Sequence, residues 1–241
     1  MDPPASLFPT TQWTLVHLLH SNDDLGAAEL ALERLCSAYR SALYHYARAS
    51  GLGPHDAEDS VQDFFAHVIG QDALKTLQKE KGRLRSWMIR SFNNRLMNRR
   101  EHRAARKRGG GVEHVQWDFS SAEQEFSRHH HSGMDAAQSC DLALALGLWE
   151  ATLRRLDSDS KVQKRPALYQ SLRPHLLQGW PKNGPNQTEV AALHGLTANA
   201  LRVRLVNLII KARSFFISIA RETIDPLISD EDLDHLWSLL K

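Results

Sequence analysis

Cysteine is almost missing: Cys36 and Cys140 are the only two in 241 residues, and neither stands in a CxxC or metal-ligand spacing. A disulfide framework and a cysteine zinc site are thereby excluded, and free thiols in a reducing compartment are expected. Long apolar runs are lacking too. The most apolar tract, VNLIIKARSFFISIA, carries Lys211 and Arg213 and is too short to span a bilayer. The first residues, MDPPASLFPTTQW, show neither a basic n-region nor an apolar core, so no signal peptide is expected. Nor is there a sustained alternation of apolar and polar residues, which argues against β-structure. Charge of one sign does not dominate, since the formal net charge is +2. Any affinity for a polyanion must therefore come from local clustering. What remains is a soluble, cytoplasmic, helical protein with no membrane association.

Apolar residues at three-to-four spacing recur along the chain. Leu15, Leu18 and Leu19 start one stripe; Leu30, Leu32, Leu35, Tyr39, Leu43 and Tyr46 carry it to the break at GLGP. A second helix from about Asp56 sets Val61, Phe64, Phe65, Val68 and Ile69 on a broad apolar face. A third aligns Leu84, Trp87, Met88, Phe92 and Leu96, with Arg83, Arg90, Arg95, Arg99, Arg103 and Arg106 largely elsewhere. From Gly109 to about Ser139 the period dissolves into Gly, Ser and His, which reads as a linker. Helical spacing returns with Leu142 to Leu153 and Leu168 to Leu176, and again after the loop GWPKNGPN. The expected architecture is all-α. It has a helical domain over 1–108, a flexible linker over 109–139, a second helical domain over 140–220 and an acidic amphipathic extension over 221–241. In that extension Ser229 can cap a helix whose stripe is Leu233, Leu236, Trp237 and Leu240. Its role is either packing on the second domain or regulating it.

Three constellations could carry chemistry. In QTEVAALHGLTANALRVRLVNLIIKAR, Asn186 or Thr188 can cap a short helix facing Val190, Ala191 and Leu193 inward. Gly195 can end it with a positive torsion, and Thr197 can cap the next helix. That second helix buries Leu201, Leu205 and Leu208 and presents Asn199, Arg202, Val203, Arg204, Val206 and Asn207. A small residue, a glycine four positions on, then a capped basic helix is a helix-turn-helix pattern, whose second helix enters the major groove. An ordinary helical hairpin with a solvated arginine face is the plainer alternative.

The stretch KGRLRSWMIRSFNNRLMNRREHRAARKRGGG gathers arginines around Trp87 and Phe92. Clustered cations bind phosphates in a salt-dependent way, and aromatics stack on bases taken out of a duplex. Trp87 and Phe92 with Arg85, Arg90 and Arg95 fit a surface that holds a separated strand, although Trp87 at helical spacing also suits a core. In GPHDAEDSVQDFFAHVIGQ, Asp56, Glu58, Asp59 and Asp63 lie among apolar residues. Acidic first-turn residues stabilise a helix by themselves. A metal site would recruit these carboxylates with His55 and His67, yet helix periodicity already explains their spacing. An acidic stripe beside apolar side chains suits docking to a basic partner.

In this order, DAEDSVQDFF, then GRLRSWMIRSFNNRLMNRR, a linker and a C-terminal helix-turn-helix resemble the bacterial sigma-70 family of RNA polymerase sigma factors. The likeness runs over most of Leu32 to Arg213 and is greatest to the compact two-domain, extracytoplasmic-function type. The resemblance implies a region 2-like first domain and a region 4-like second domain. It implies two partners, core RNA polymerase and promoter DNA, with an anti-sigma protein as a further candidate, and neither catalysis nor a cofactor nor a metal. By that resemblance Asp56, Asp59, Gln62, Asp63 and Phe64 dock on core polymerase. Trp87, Arg90, Asn93, Asn94, Asn98 and Arg99 open and hold the minus-ten element. Asn199, Arg202, Val203 and Val206 read minus-thirty-five bases, and Arg204 and Lys211 meet phosphates. Asn98 and Val203 depart from the family's usual residues, an aspartate and a small polar residue.

Two other classes stay open on the residues alone. One is a polymerase-independent helix-turn-helix regulator, separated by its failure to bind core polymerase. The other is a metal-dependent nuclease built on the acidic helix. The run His129-His130-His131 could bind a metal, or be a solvated linker.

Overall fold

A computed structural model describes residues 25–70, 84–105, 118–159, 161–180, 186–224 and 228–241. Leu15, Leu18, Leu19, Arg83, Arg106 and the glycines from Gly109 to Gly111 lie outside the described residues. Among the described residues there are nine α-helices and no strand, as the period of the apolar residues predicts.

Helix α1 (Leu25–Ala49) buries Cys36, Tyr39, Ala42, Leu43 and Ala47, then stops at Gly51, whose φ of 90° suits a residue without Cβ. Helix α2 (Pro54–Gly70) opens on a proline whose missing N–H costs nothing there. It turns Ala57, Val61, Phe64, Phe65 and Val68 inward. Helix α3 (Leu84–Ala105) answers with Met88, Phe92 and Leu96, one turn apart each. Phe92 meets Phe64 edge-on at 5.3 Å and Tyr46 at 6.0 Å, which locks the three helices together.

The next element departs from the linker expectation for 109–139 over its described part, 118–139. Ser120–His129 is a helix, α4, with Phe119, Ala122 and Phe126 buried. Phe119 stacks on Tyr44 at 5.2 Å, and the Arg48 guanidinium lies 4.9 Å from the Phe126 ring. Glu123 accepts from Tyr44 Oη at 2.6 Å and from Arg48 Nε at 2.8 Å. These contacts bind the segment to α1. Asp135 and Gln138 then form a reciprocal capping box that starts the next helix.

Helix α5 (Ala136–Asp157) is the centre of the second half, packed on α1 on one side and on the long C-terminal helix on the other. Helix α6 (Pro166–Leu172) runs into a single 3-10 turn at Arg173–His175. Helices α7 (Gln187–Leu193) and α8 (Ala198–Thr223) follow, and α9 (Asp230–Ser238) closes the chain. The extension packs: Leu233, Leu236 and Trp237 are buried, and the Trp237 ring meets Phe216 at 5.1 Å and Trp149 at 5.9 Å. Ser229 caps α9, accepting from Asp232 N–H at 3.1 Å. Asp230 takes Arg221 at 2.9 Å, and Asp234 pairs with Arg213. A single apolar cluster runs from α1 through α5 to α8 and α9.

Candidate nucleic-acid and polymerase interfaces

Helices α7 and α8 meet at a tight turn. Asn186 caps α7 by accepting from Thr188 N–H at 3.0 Å, so of the two candidate caps the asparagine serves. Gly195 has φ of 64°, and Leu196 N–H returns to Ala191 carbonyl at 2.8 Å. Thr197 caps α8 through Ala200 N–H at 3.2 Å. Ala191 is wholly buried where the helices cross, and its small side chain permits that approach. Leu201, Leu205 and Leu208 face the core. Asn199, Arg202, Val203, Arg204 and Val206 are all exposed, as the periodicity predicts. Arg202 donates to Gln187 Oε1 at 3.3 Å, which holds the guanidinium across the mouth of the turn. Lys211 differs from the expectation: Asp159 holds its ammonium, and the nearby Phe215 ring lies 5.5 Å away. It is committed within the molecule instead of facing a phosphate. Leu193, expected to face inward, is instead exposed, and with Val203, Val206 and Ile210 it leaves apolar surface on this outer side.

On α3, Arg90, Asn94 and Asn98 are exposed and Asn93 is half-buried. Phe92 is fully buried, so it is a core residue and no stacking platform. Trp87 packs partly against the core. The interleaved arginines divide. Arg85 pairs with Asp141 of α5, and Arg95 reaches Asp63 of α2 at 3.1 Å; Arg90 stays in solvent. Arg99 and Arg103 lie on α3, with side chains outside the described ones.

On α2, Asp56, Asp59, Gln62 and Asp63 form a partly exposed polar side. Phe64, expected on the same surface, is 1% exposed because the broad apolar face of α2 turns it towards Phe92. His55 lies 3.9 Å from Asp59. The Asp63–Arg95 pair is about one-third exposed on each side and so contributes about 1 kcal/mol or less to stability. Among the described residues, no group of three or more His, Cys, Asp or Glu is placed to hold a metal ion. His129 and His131 are exposed, while His130 stacks on Phe126 at 4.5 Å.

Buried titratable groups sit behind these surfaces. Burial drives the His45 imidazole down to about 4, although Glu125 lies 3.9 Å away. Arg48 holds the Glu123 carboxyl below its ordinary value. Burial raises the Cys140 thiol to about 12, which makes it inert while covered.

The helical hairpin of α1 and α2, backed by α3, coincides with a known family region. Residues 35–107 match the family model for sigma-70 region 2. The chain carries a stretch that matches that region. Searches among curated proteins and among solved structures gave no match. No helix among the described residues is long and apolar enough to cross a membrane.

Proposed function

We propose that this chain is a sigma factor of the extracytoplasmic-function type, a promoter-specificity subunit with no catalysis of its own. The polar side of α2, through Asp56, Asp59, Gln62 and Asp63, docks on core polymerase. The exposed side of α3, through Arg90, Asn94 and Asn98, holds the opened minus-ten strand, together with Asn93 and Arg99 of the same helix. Helices α7 and α8 form a helix-turn-helix in which Asn199, Arg202, Val203 and Val206 read minus-thirty-five bases and Arg204 contacts a phosphate.

The observation that carries this reading is the division of α8. Its leucines are buried against the protein, and a contiguous polar and basic set is left exposed at its N-terminal end. That end is the part of a recognition helix that reaches base edges. Exposed Val203 and Val206 supply apolar contacts of the kind thymine methyls accept. The region 2 match adds the polymerase partner, which a free-standing regulator would not need.

Co-elution with core RNA polymerase on gel filtration tests the docking. The wild-type chain is expected to co-elute. Asp59→Lys should weaken that association tenfold or more with helical content unchanged, because a basic partner surface would be repelled. Unaltered affinity in the variant would remove α2 from the interface. Absence of any association would favour a polymerase-independent regulator.

A further inference from the structure

A half-open cavity of about 530 Å³ lies where α1, α4, α5 and the C-terminal end of α8 converge. That volume is typical of sites for small organic molecules. Ala38, Leu144, Leu148, Ile219 and Ile224 give it an apolar lining. None of the residues that line it has a part in the proposed function.

Gly147 opens this space. It stands inside the 22-residue helix α5, where glycine is a poorer choice than alanine. A Cβ added there would meet nothing within 4 Å, so no neighbouring helix requires its absence. Its torsion is not among the positive ones that call for glycine. Neither backbone nor packing explains the residue. What the missing side chain keeps clear is the cavity itself.

Three carboxylates from three helices edge the cavity: Glu125 of α4, Glu150 of α5 and Glu222 of α8. Glu150 stands one turn from Gly147, on the same face of α5. Burial, and then the charge of Glu150, push the Glu125 carboxyl above its ordinary value. His129 and Arg128 act in the opposite sense and do not outweigh them. Two like charges at the edge of an apolar hollow are relieved by a cation between them. The cations nearby do not supply it. Arg154 lies 3.7 Å from Glu150, but both side chains are well exposed and such a pair is weak. Arg155 is engaged with Glu222 at 3.4 Å. His45 is 3.9 Å from Glu125, and burial leaves its imidazole neutral at pH 7.

We propose that this cavity binds an organic amine, with its ammonium between Glu125 and Glu150 and its apolar body over Gly147. The carboxylates repel an anion, and a neutral ligand would leave Glu125 and Glu150 uncompensated. The inference does not rest on the sigma-factor reading, and a failure to bind core polymerase would leave it intact.

The test is isothermal titration calorimetry on the full-length chain with three probes of one length: 1,8-diaminooctane, 1,8-octanediol and suberate. The diamine should bind saturably, one per chain, with a submillimolar Kd, and should raise the melting temperature. The diol should bind tenfold or more weakly, and suberate not at all. Gly147→Leu fills the cavity and should weaken diamine binding tenfold or more. Its melting temperature should not fall, because leucine is the better helix former. Glu125→Gln keeps the shape of the wall and should weaken the diamine while leaving the diol unchanged. Lack of saturable diamine binding at millimolar concentration would overturn the site. So would wild-type affinity in both variants, which would place any binding elsewhere. Equal affinity for diamine and diol would overturn the assignment of a cationic ligand.

Discussion

Arg202 and Arg204 stand two positions apart on α8, both exposed, and the proposed function gives them different tasks. Arg202 is steadied by Gln187 of α7 at the turn, a placement suited to a bidentate base contact. Arg202→Ala should cost about 1–3 kcal/mol on duplexes selected from a random pool and relax their selectivity. Arg204→Ala should weaken selected and random duplexes alike and flatten the salt dependence by about one phosphate contact. Binding isotherms at several salt concentrations separate the two, and equal losses on both duplex types for both variants would deny Arg202 a base-reading role. His45 carries a prediction of another kind. Its imidazole is 1% exposed, with Nε2 at 3.1 Å from the Ala122 carbonyl, and burial lowers it from 6.5 to about 4. Between those values the unfolded chain takes up a proton that the folded chain refuses. Stability is therefore full above pH 6.5 and falls as pH drops through that window, by up to about 3 kcal/mol. His45→Gln keeps a donor for the carbonyl and should flatten urea midpoints measured from pH 7 to pH 4.5. A slope unchanged by the substitution would place the acid sensitivity elsewhere.

Helix α3 has two faces with separate roles. Met88, Phe92 and Leu96 hold it to α1 and α2, and Arg90, Asn94 and Asn98 look outwards. Asn94→Ala with Arg99→Ala should leave the closed promoter complex nearly intact and impair opening. A pre-melted bubble template should restore much of the lost transcription, because the energy of strand separation is already met. Equal loss on duplex and bubble templates in an abortive transcription assay would reduce these residues to general affinity. Elements of this kind are legible in sequence because helix faces repeat with a fixed period. Val61 and Phe65, Leu201 and Leu205, and the caps Thr197 and Ser229 all lie where spacing puts them. Helix α4 is hidden because its three buried residues, Phe119, Ala122 and Phe126, are scattered among serines, glutamates and histidines. Its stability comes from α1, through Tyr44 and Arg48, and such tertiary support leaves no local pattern. The interface residues show the same limit. Periodicity tells which side of a helix Phe64 or Arg85 occupies, but the ring or carboxylate it meets is supplied by a distant segment. Arg85, Arg95 and Lys211 thus read as free cations in sequence and are paired in the fold.

Helix α1 organises the whole molecule, since α2, α3, α4, α5 and α8 all pack on it. The first domain uses one part of α1 to support the surfaces on α2 and α3, and the second domain rests on another. One continuous core therefore backs both the helices α2 and α3 and the helices α7 and α8. The most direct test of the central claim is transcription from fragmented genomic DNA of the source organism by core RNA polymerase, with and without this chain, followed by sequencing of the RNA 5′ ends. The account predicts that adding the chain creates starts at discrete positions that share upstream sequence near minus ten and minus thirty-five. Starts indistinguishable from those of core polymerase alone, with a chain verified as folded, would contradict it.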